Sequence, residues 1–330
     1  MKKKNVLGVG VGFKQRGEET LPIISLIISV SKKELPHRLS KSDLVPKELN
    51  GIPTDVKETK VLKALPSQSQ AVAALDRTKK WRPAPGGVSI GHVDITAGTL
   101  GCIVTRKEED SKEFFILSNN HVLANSNQGA PGDPIIQPGS HDGGVSPGDV
   151  IGHLWDFIPI QFMEEVAECE VSEVVAKIIS SLAKIMGSKH RLSAYQENPL
   201  TNVVDCAIVK PLSVEDIDSG ILEIGSPTGV EFDVPLGLEI WKSGRTTGLT
   251  FGTVDQVAFT GIVDYGVGLA IFENQIVSGP MSAGGDSGSA VLTQADNKVM
   301  GLLFAGSDEV TIINPIQAVL EGLGVEIWVP

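Results

Sequence analysis

The sequence predicts a mainly β protein, and three observations carry that expectation. Apolar residues fall in strand-length runs such as LPIISLIISV, residues 21–30, across most of the chain. These runs are separated by turn chemistry drawn from 36 glycines and 19 prolines, which end strands and close hairpins. A hydrophobic content of 41% over 330 residues leaves room for a sizeable core beneath many short strands.

The elements follow in order. Residues 5–13 alternate valine and leucine with glycine, and with 21–30 they predict a hairpin whose turn holds Arg16, Gly17 and Glu18. The GVGVG run is no nucleotide loop, because neither a helix-forming sequence nor the P-loop lysine and serine follow it. Residues 32–60 mix charges, prolines and short apolar pieces and read as a small α/β or irregular subdomain ending near Ala64. Residues 66–87, rich in Ser, Gln, Ala, Lys and Pro, read as a linker with a short helix at 70–77.

Strands are expected at 88–95, 99–106 and 113–118, the last two joined by the charged turn KEEDSK. The Gly/Pro/Asp-rich stretch 129–152 contains His141 and Asp142, which read as turn residues rather than metal ligands. The clearest helical period lies in 161–196, where Val171, Val174, Val175, Ile178, Ile179, Leu182, Ile185 and Met186 recur on one face. That insertion either packs on the strands or serves as an oligomer contact or a wall of a substrate groove. Residues 241–254 predict two strands joined through SGRTTGLT, where Arg245 reads as structural. Another strand covers 267–277, and 290–292 with 299–304 flank QADNK as a hairpin. Asn314 is expected to cap a helix with Pro315 at its first position and 316–323 continuing it.

Composition narrows the function. Twenty-eight basic against forty acidic residues give a net charge of −12, which argues against nucleic acid as the main partner, since phosphate binding relies on positive charge. The three cysteines, Cys102, Cys169 and Cys206, are far apart and outside any metal-ligand spacing. They read as buried thiols of a cytoplasmic protein. The start, Met-Lys-Lys-Lys and an apolar run, imitates a signal peptide, yet the run is glycine-interrupted and no small-residue cleavage site follows. No stretch reaches the roughly eighteen apolar residues of a membrane span.

The chemistry concentrates in MSAGGDSGSAVL, residues 281–292. Gly284, Gly285 and Gly288 allow sharp turns around Ser287 and a close approach of a substrate carbonyl. Such a loop can aim two backbone N–H groups at one spot, and those of Gly285 and Ser287 are assigned as the oxyanion hole. A serine hydroxyl needs a base, normally histidine, and the base needs an orienting carboxylate. All six histidines lie upstream of Ser287, which excludes the α/β-hydrolase order of Ser, acid, His. In FFILSNNHVLA a strand gives way to a turn at His121, and in NVVDCAIVKP Asp205 lies inside an apolar run, where an ionised carboxylate requires a donor. The constellation therefore reads His121, Asp205, Ser287.

LSNNHVLA, NVVDCAIV and GGDSGSAVL, in that order, resemble the three signature blocks of the chymotrypsin-like serine proteases. More narrowly, IIQPGSHDGG, WKSGRTTGLTFGTV, GLLFAGS, NVLGVGVGFK and ELNGIPTDVKE resemble a bacterial trypsin-like branch that includes the plant NAL1-like proteins. The resemblance implies two six-stranded antiparallel β-barrels with a small N-terminal α/β subdomain, a helical insertion and a C-terminal helix. The corresponding divisions are a subdomain at 1–65, a linker at 66–87, a first barrel at 88–200 with the insertion at 161–196, and a second barrel with its helix at 201–330. It implies a serine endopeptidase acting on protein or peptide substrates without metal or cofactor. Met281 would floor the primary specificity pocket and Phe304, Ala305 and Gly306 would wall it, favouring apolar side chains. Asp286 would find an internal donor or stay near solvent, with no activating cleavage. The alternatives are a protease fold kept as a binding or scaffolding module, and an esterase.

Overall fold

The computed structural model describes residues 3, 5–17, 19–64, 75–107, 112–163 and 201–330. The helical period of 161–196 falls almost wholly outside the described residues, as do most of the expected 70–77 helix and Cys169.

Strands Glu239–Gly244, Gly248–Asp264, Leu269–Ser278, Ala290–Thr293, Lys298–Gly306 and Thr311–Pro315 form a six-stranded antiparallel ring. The ring closes because Gly248–Asp264 pairs with both Glu239–Gly244 and Leu269–Ser278. Its interior holds Ile240, Val254, Ile276, Val291, Met300, Leu303 and Ile313, as alternation along each strand requires. A second sheet runs Cys102–Lys107, Lys112–Ser118, Ala207–Pro211, Val150–Phe157, Pro134–Ile136 and Ser89–His92, with Glu326–Ile327 and Gly98–Thr99 at its ends. Ile90, Leu100, Ile103, Ile116, Ile135, Leu154 and Val209 fill it. Ala207–Pro211 pairs within this sheet, so the sheet, which does not close into a ring among the described residues, takes a strand from beyond the expected division at 201.

The two bodies meet across one apolar layer. Cys102, Phe115, Leu117, Cys206 and Ile208 face Leu292, Val299 and Leu302, and helix Ile316–Leu323 covers the seam with Ile316, Val319 and Leu320. The helix has the expected bounds but a different start: Pro315 is the N-cap with no side-chain cap, because Asn314 is engaged elsewhere.

The N-terminal segment is an extension of the second barrel. Among described residues 3–64 there are strands and one 3₁₀ turn, Pro36–Arg38, in place of the expected α/β mixture. Val6–Arg16 and Glu19–Val30 form the expected hairpin, Val6–Arg16 adds to Gly248–Asp264, and Ile52–Glu58 runs parallel to Glu19–Val30. The valine-glycine alternation has a steric cause: a Cβ at Gly8 would lie 2.3 Å from the Phe259 ring. Part of the expected linker is also built into the fold, with Arg77 buried beside Glu223 and Ser243 and Ala84–Gly86 paired to Ile217–Ile221.

Candidate active site

Two neighbouring strand ends bring the imidazole and the carboxylate together. Lys112–Ser118 pairs with Ala207–Pro211 so that Ser118 lies opposite Ala207. The chain leaving the first strand, in helix Asn120–Leu123, therefore stands beside the chain entering the second. Asn119 fixes the junction by donating its side-chain amide to the Asp205 carbonyl at 2.7 Å.

Asp205 is fully buried, and its charge is met from several directions. His121 donates its backbone N–H to Oδ1 at 3.2 Å, and its Nδ1 lies 2.6 Å from Oδ2. Tyr265 donates its hydroxyl to the same Oδ2 at 2.8 Å. Burial and the Asp205 charge push the Tyr265 phenol well above its ordinary pKa, so it stays a donor. The Asp205 backbone N–H donates to Asn314 Oδ1 at 3.0 Å, and Asn314 donates in turn to Gln275. With Nδ1–H directed at the carboxylate, the free lone pair of the neutral ring is on Nε2. That atom is buried and has no hydrogen-bond partner among the described residues.

Ser287 sits in a loop whose peptide planes are pinned one by one. The Gly284 carbonyl accepts from Thr246 Oγ1 at 2.7 Å, the Gly285 carbonyl from Thr99 Oγ1 at 2.8 Å, and the Asp286 carbonyl from the N–H and Oγ of Ser289. In a trans peptide the N–H points opposite to the C=O. Holding the carbonyls of 284 and 286 therefore aims the N–H groups of Gly285 and Ser287 away from those clamps. Neither N–H has a partner among the described residues, whereas that of Asp286 is turned inward to Ala283 O. Gly285 has φ +97, which needs glycine, and its missing Cβ leaves room for Thr246 and Arg245.

Asp286 anchors this loop. It is completely buried and accepts from the N–H groups of Thr246, Thr247 and Ala283 and from the Thr247 hydroxyl. The ammonium of Lys242, equally buried, lies 3.2 Å from its Oδ2. Desolvation lowers the Lys242 pKa and the Asp286 charge works against that fall. A second buried pair stands alongside: Arg245 Nε reaches Asp142 Oδ2 at 2.8 Å and Nη2 reaches Oδ1. The expected turn residue Asp142 is thus the clamp for an arginine that flanks Gly285.

Ser287 lies next to the His121 helix. A Cβ at Gly98 would meet Val122 at 2.4 Å and the Ser287 carbonyl at 3.0 Å, and the Thr99 N–H donates to that carbonyl. Ser287 Oγ itself donates to the Phe304 carbonyl at 3.3 Å. A cavity of about 290 Å³ beside His121 is lined by Ile95, Ala97, Tyr265, Lys63 and Ala64. An apolar cleft of about 390 Å³ lies on the N-terminal strands, lined by Val6, Val9, Leu26 and Ile28, with Lys3 and Thr54 as the polar residues of its wall.

The residues expected to shape specificity are buried, Met281 inside the barrel and Phe304 and Ala305 in a separate apolar cluster. Met281 is buried among Ile240, Val254 and Ile276, and Phe304 and Ala305 face Phe272, Val277 and Ile312. Gly306 is buried and paired with Lys63. Cys102 and Cys206 are free and buried, and burial pushes the Cys102 thiol up to about 12. Among the described residues no cluster could hold a metal ion, and no helix is long and apolar enough to cross a membrane.

Sequence reasoning missed Lys242, Tyr265 and the true task of Asn314. Lys242 left a signal, since it shares the inward face of Glu239–Gly244 with Ile240. Tyr265 left none.

No family model and no curated protein matches the sequence. Similar solved structures are Thermobifida fusca Protease A, with 16% identity and a TM-score of 0.46 over 74% of this chain and 98% of that one; Cellulomonas bogoriensis chymotrypsin, with 15% and 0.42 over 74% and 98%; and a glutamic acid specific serine protease, with 18% and 0.44 over 74% and 100%. A closed ring of six antiparallel strands, a second curled sheet, the seam between them and a C-terminal helix over that seam make the fold of this chain the chymotrypsin-like one.

Proposed function

We propose that the protein is a serine endopeptidase in which Ser287 attacks a peptide carbonyl, His121 is the general base and Asp205 orients it. The observation that carries this reading is the 2.6 Å contact between His121 Nδ1 and the buried Asp205 carboxylate, which leaves Nε2 unpartnered beside the serine loop. This reading requires Ser287 Oγ to leave the Phe304 carbonyl, which it contacts at 3.3 Å, and to take Nε2 as its partner. His121 then takes the hydroxyl proton as the Ser287 oxygen bonds to the carbonyl carbon. Asp205 holds the tautomer and stabilises the imidazolium. The N–H groups of Gly285 and Ser287 receive the oxyanion, a contribution of about 3–4 kcal/mol per donor in comparable sites. His121 returns the proton to the leaving amine, and water repeats the sequence on the acyl-enzyme.

One observation favours a second reading, a protease fold used for binding alone: Ser287 Oγ rests on Phe304 rather than on His121. Labelling by a fluorophosphonate separates the two. The endopeptidase reading expects stoichiometric labelling that disappears in Ser287→Ala, together with turnover of casein or peptides. Absence of labelling in the folded protein refutes it, and labelling with ester but no peptide turnover makes the protein an esterase.

A further inference from the structure

The edge of the serine-proximal strand is already occupied. Lys298–Gly306 carries Phe304, whose carbonyl holds Ser287 Oγ, and two residues further on Gly306 pairs antiparallel with Lys63. Leu62–Lys63 also runs parallel to Val263 and Asp264, and the Ala64 N–H donates to the Asp264 carbonyl at 3.1 Å. This short strand therefore fills the position where an extended peptide would otherwise add to the sheet.

The segment is seated as a fixed part of the fold. Leu62 is fully buried in the cluster with Phe304, Ala305, Val263 and Phe272. Upstream, Thr59 donates its N–H to the Val30 carbonyl and receives the Ser307 hydroxyl on its own carbonyl at 2.6 Å. Lys60 pairs with Glu309 at 3.0 Å and Asp308 at 3.5 Å. Lys63 and Ala64 line the cavity together with His121 and Tyr265.

We propose that Leu62–Ala64 is a specificity wall that ends the substrate groove two residues from Ser287. The proposal rests on the endopeptidase reading, in which the residue contributing the attacked carbonyl lies against Phe304. Residues preceding it would run on toward Gly306 and gain main-chain pairing there only if that edge were open. Each strand residue spans about 3.3 Å, so only about two residues before the scissile bond find a partner. The enzyme accordingly takes peptides by a short stretch on that side and gains nothing from a longer one.

The test compares N-acetylated dipeptide and tetrapeptide substrates that carry the same two residues before a fluorogenic amide. In the full-length protein the two are expected to have kcat/KM within about twofold, and Leu62→Ala is expected to raise the tetrapeptide at least tenfold relative to the dipeptide. Lys60→Glu, an exposed change that loosens the same segment, is the second variant and should move the ratio in the same direction. A tenfold preference of the unaltered protein for the tetrapeptide overturns the proposal. So does activity that appears only in the variants, which would make the segment a displaceable plug. Binding of both uncleaved peptides to Ser287→Ala reads the wall without catalysis: equal affinities support it even if Ser287 proves unreactive, and a tenfold gain on lengthening refutes it.

Discussion

Lys242→Met removes the cation from beneath the serine loop while keeping much of its apolar stem. Lys242 and Asp286 are both fully buried and 3.2 Å apart. At an effective dielectric of about 20 their attraction amounts to about 5 kcal/mol, most of it offset by the cost of desolvating the two charges. Losing one partner is a different matter, because the remaining carboxylate stays buried, and breaking such a pair costs about 3–5 kcal/mol. Asp286 keeps three backbone N–H donors and the Thr247 hydroxyl, which puts the expected loss near the lower end, about 3 kcal/mol. For a chain of 330 residues, with an unfolding entropy of about 0.7 kcal/mol/K, that corresponds to a melting temperature lower by about 4 °C.

The function should suffer more than the fold. Asp286 fixes Thr246 and Thr247, and Thr246 fixes the Gly284 carbonyl that orients the Gly285 N–H. Lys242→Met is therefore expected to slow fluorophosphonate labelling of Ser287 at least tenfold at a temperature where the variant remains folded. Adding Asp286→Asn removes the orphaned charge and should recover part of the lost stability without recovering the labelling rate. A single variant with unchanged labelling and a stability within about 0.5 kcal/mol of the parent, by urea titration, would refute the claim that this pair organises the loop.

Tyr265→Phe takes one donor from Asp205, and kcat should fall about tenfold with little change in KM, since a hydrogen bond to a charged group contributes about 1.5–3 kcal/mol. Because the folded-state pKa of Tyr265 is raised well above 10, its contribution to stability is complete below pH 10 and is lost as pH rises above it. The parent should therefore lose melting temperature between pH 9.5 and 11 more steeply than Tyr265→Phe, and parallel curves would contradict this. Gly288→Ala would set a Cβ 1.9 Å from Ser118 Oγ and 2.4 Å from the Thr99 carbonyl at φ +94. A loss above about 4 kcal/mol is expected, read as insoluble or urea-sensitive protein. Cys102, buried and with its thiol pushed up to about 12, should resist a thiol reagent at pH 8 in the native protein and react once urea unfolds it.

The readable parts of this chain are those in which one segment carries both the residue and its reason. The glycines around Ser287 announce a special turn, and a carboxylate in an apolar run announces a donor. The strand runs were legible because apolar runs and turn residues are local, and helix Ile316–Leu323 because Pro315 marks where it begins. What escaped depends on register between distant strands. Asn314 has the look of a helix cap, yet Thr311–Pro315 lies against Leu269–Ser278 so that its side chain meets Gln275 and the Asp205 backbone instead. Residues 59–64 read as the end of a separate subdomain, because no property of Leu62 or Lys63 tells that their neighbours will be Val263 and Gly306.

Lys242 lies between these cases, and it shows how far local reading extends. A lysine at an inward position of a strand that alternates Ile240, Lys242 and Gly244 cannot be left unpaired, since an isolated buried ammonium is too costly to keep. Its partner must be an acid that is also buried, and the fold supplies Asp286 from the serine loop, 3.2 Å away. Pattern and desolvation thus call for a buried acid, and strand register decides which one. No comparable argument reaches Tyr265, whose hydroxyl would be unremarkable at any half-buried position and gains its role only from the turn that carries it over Asp205.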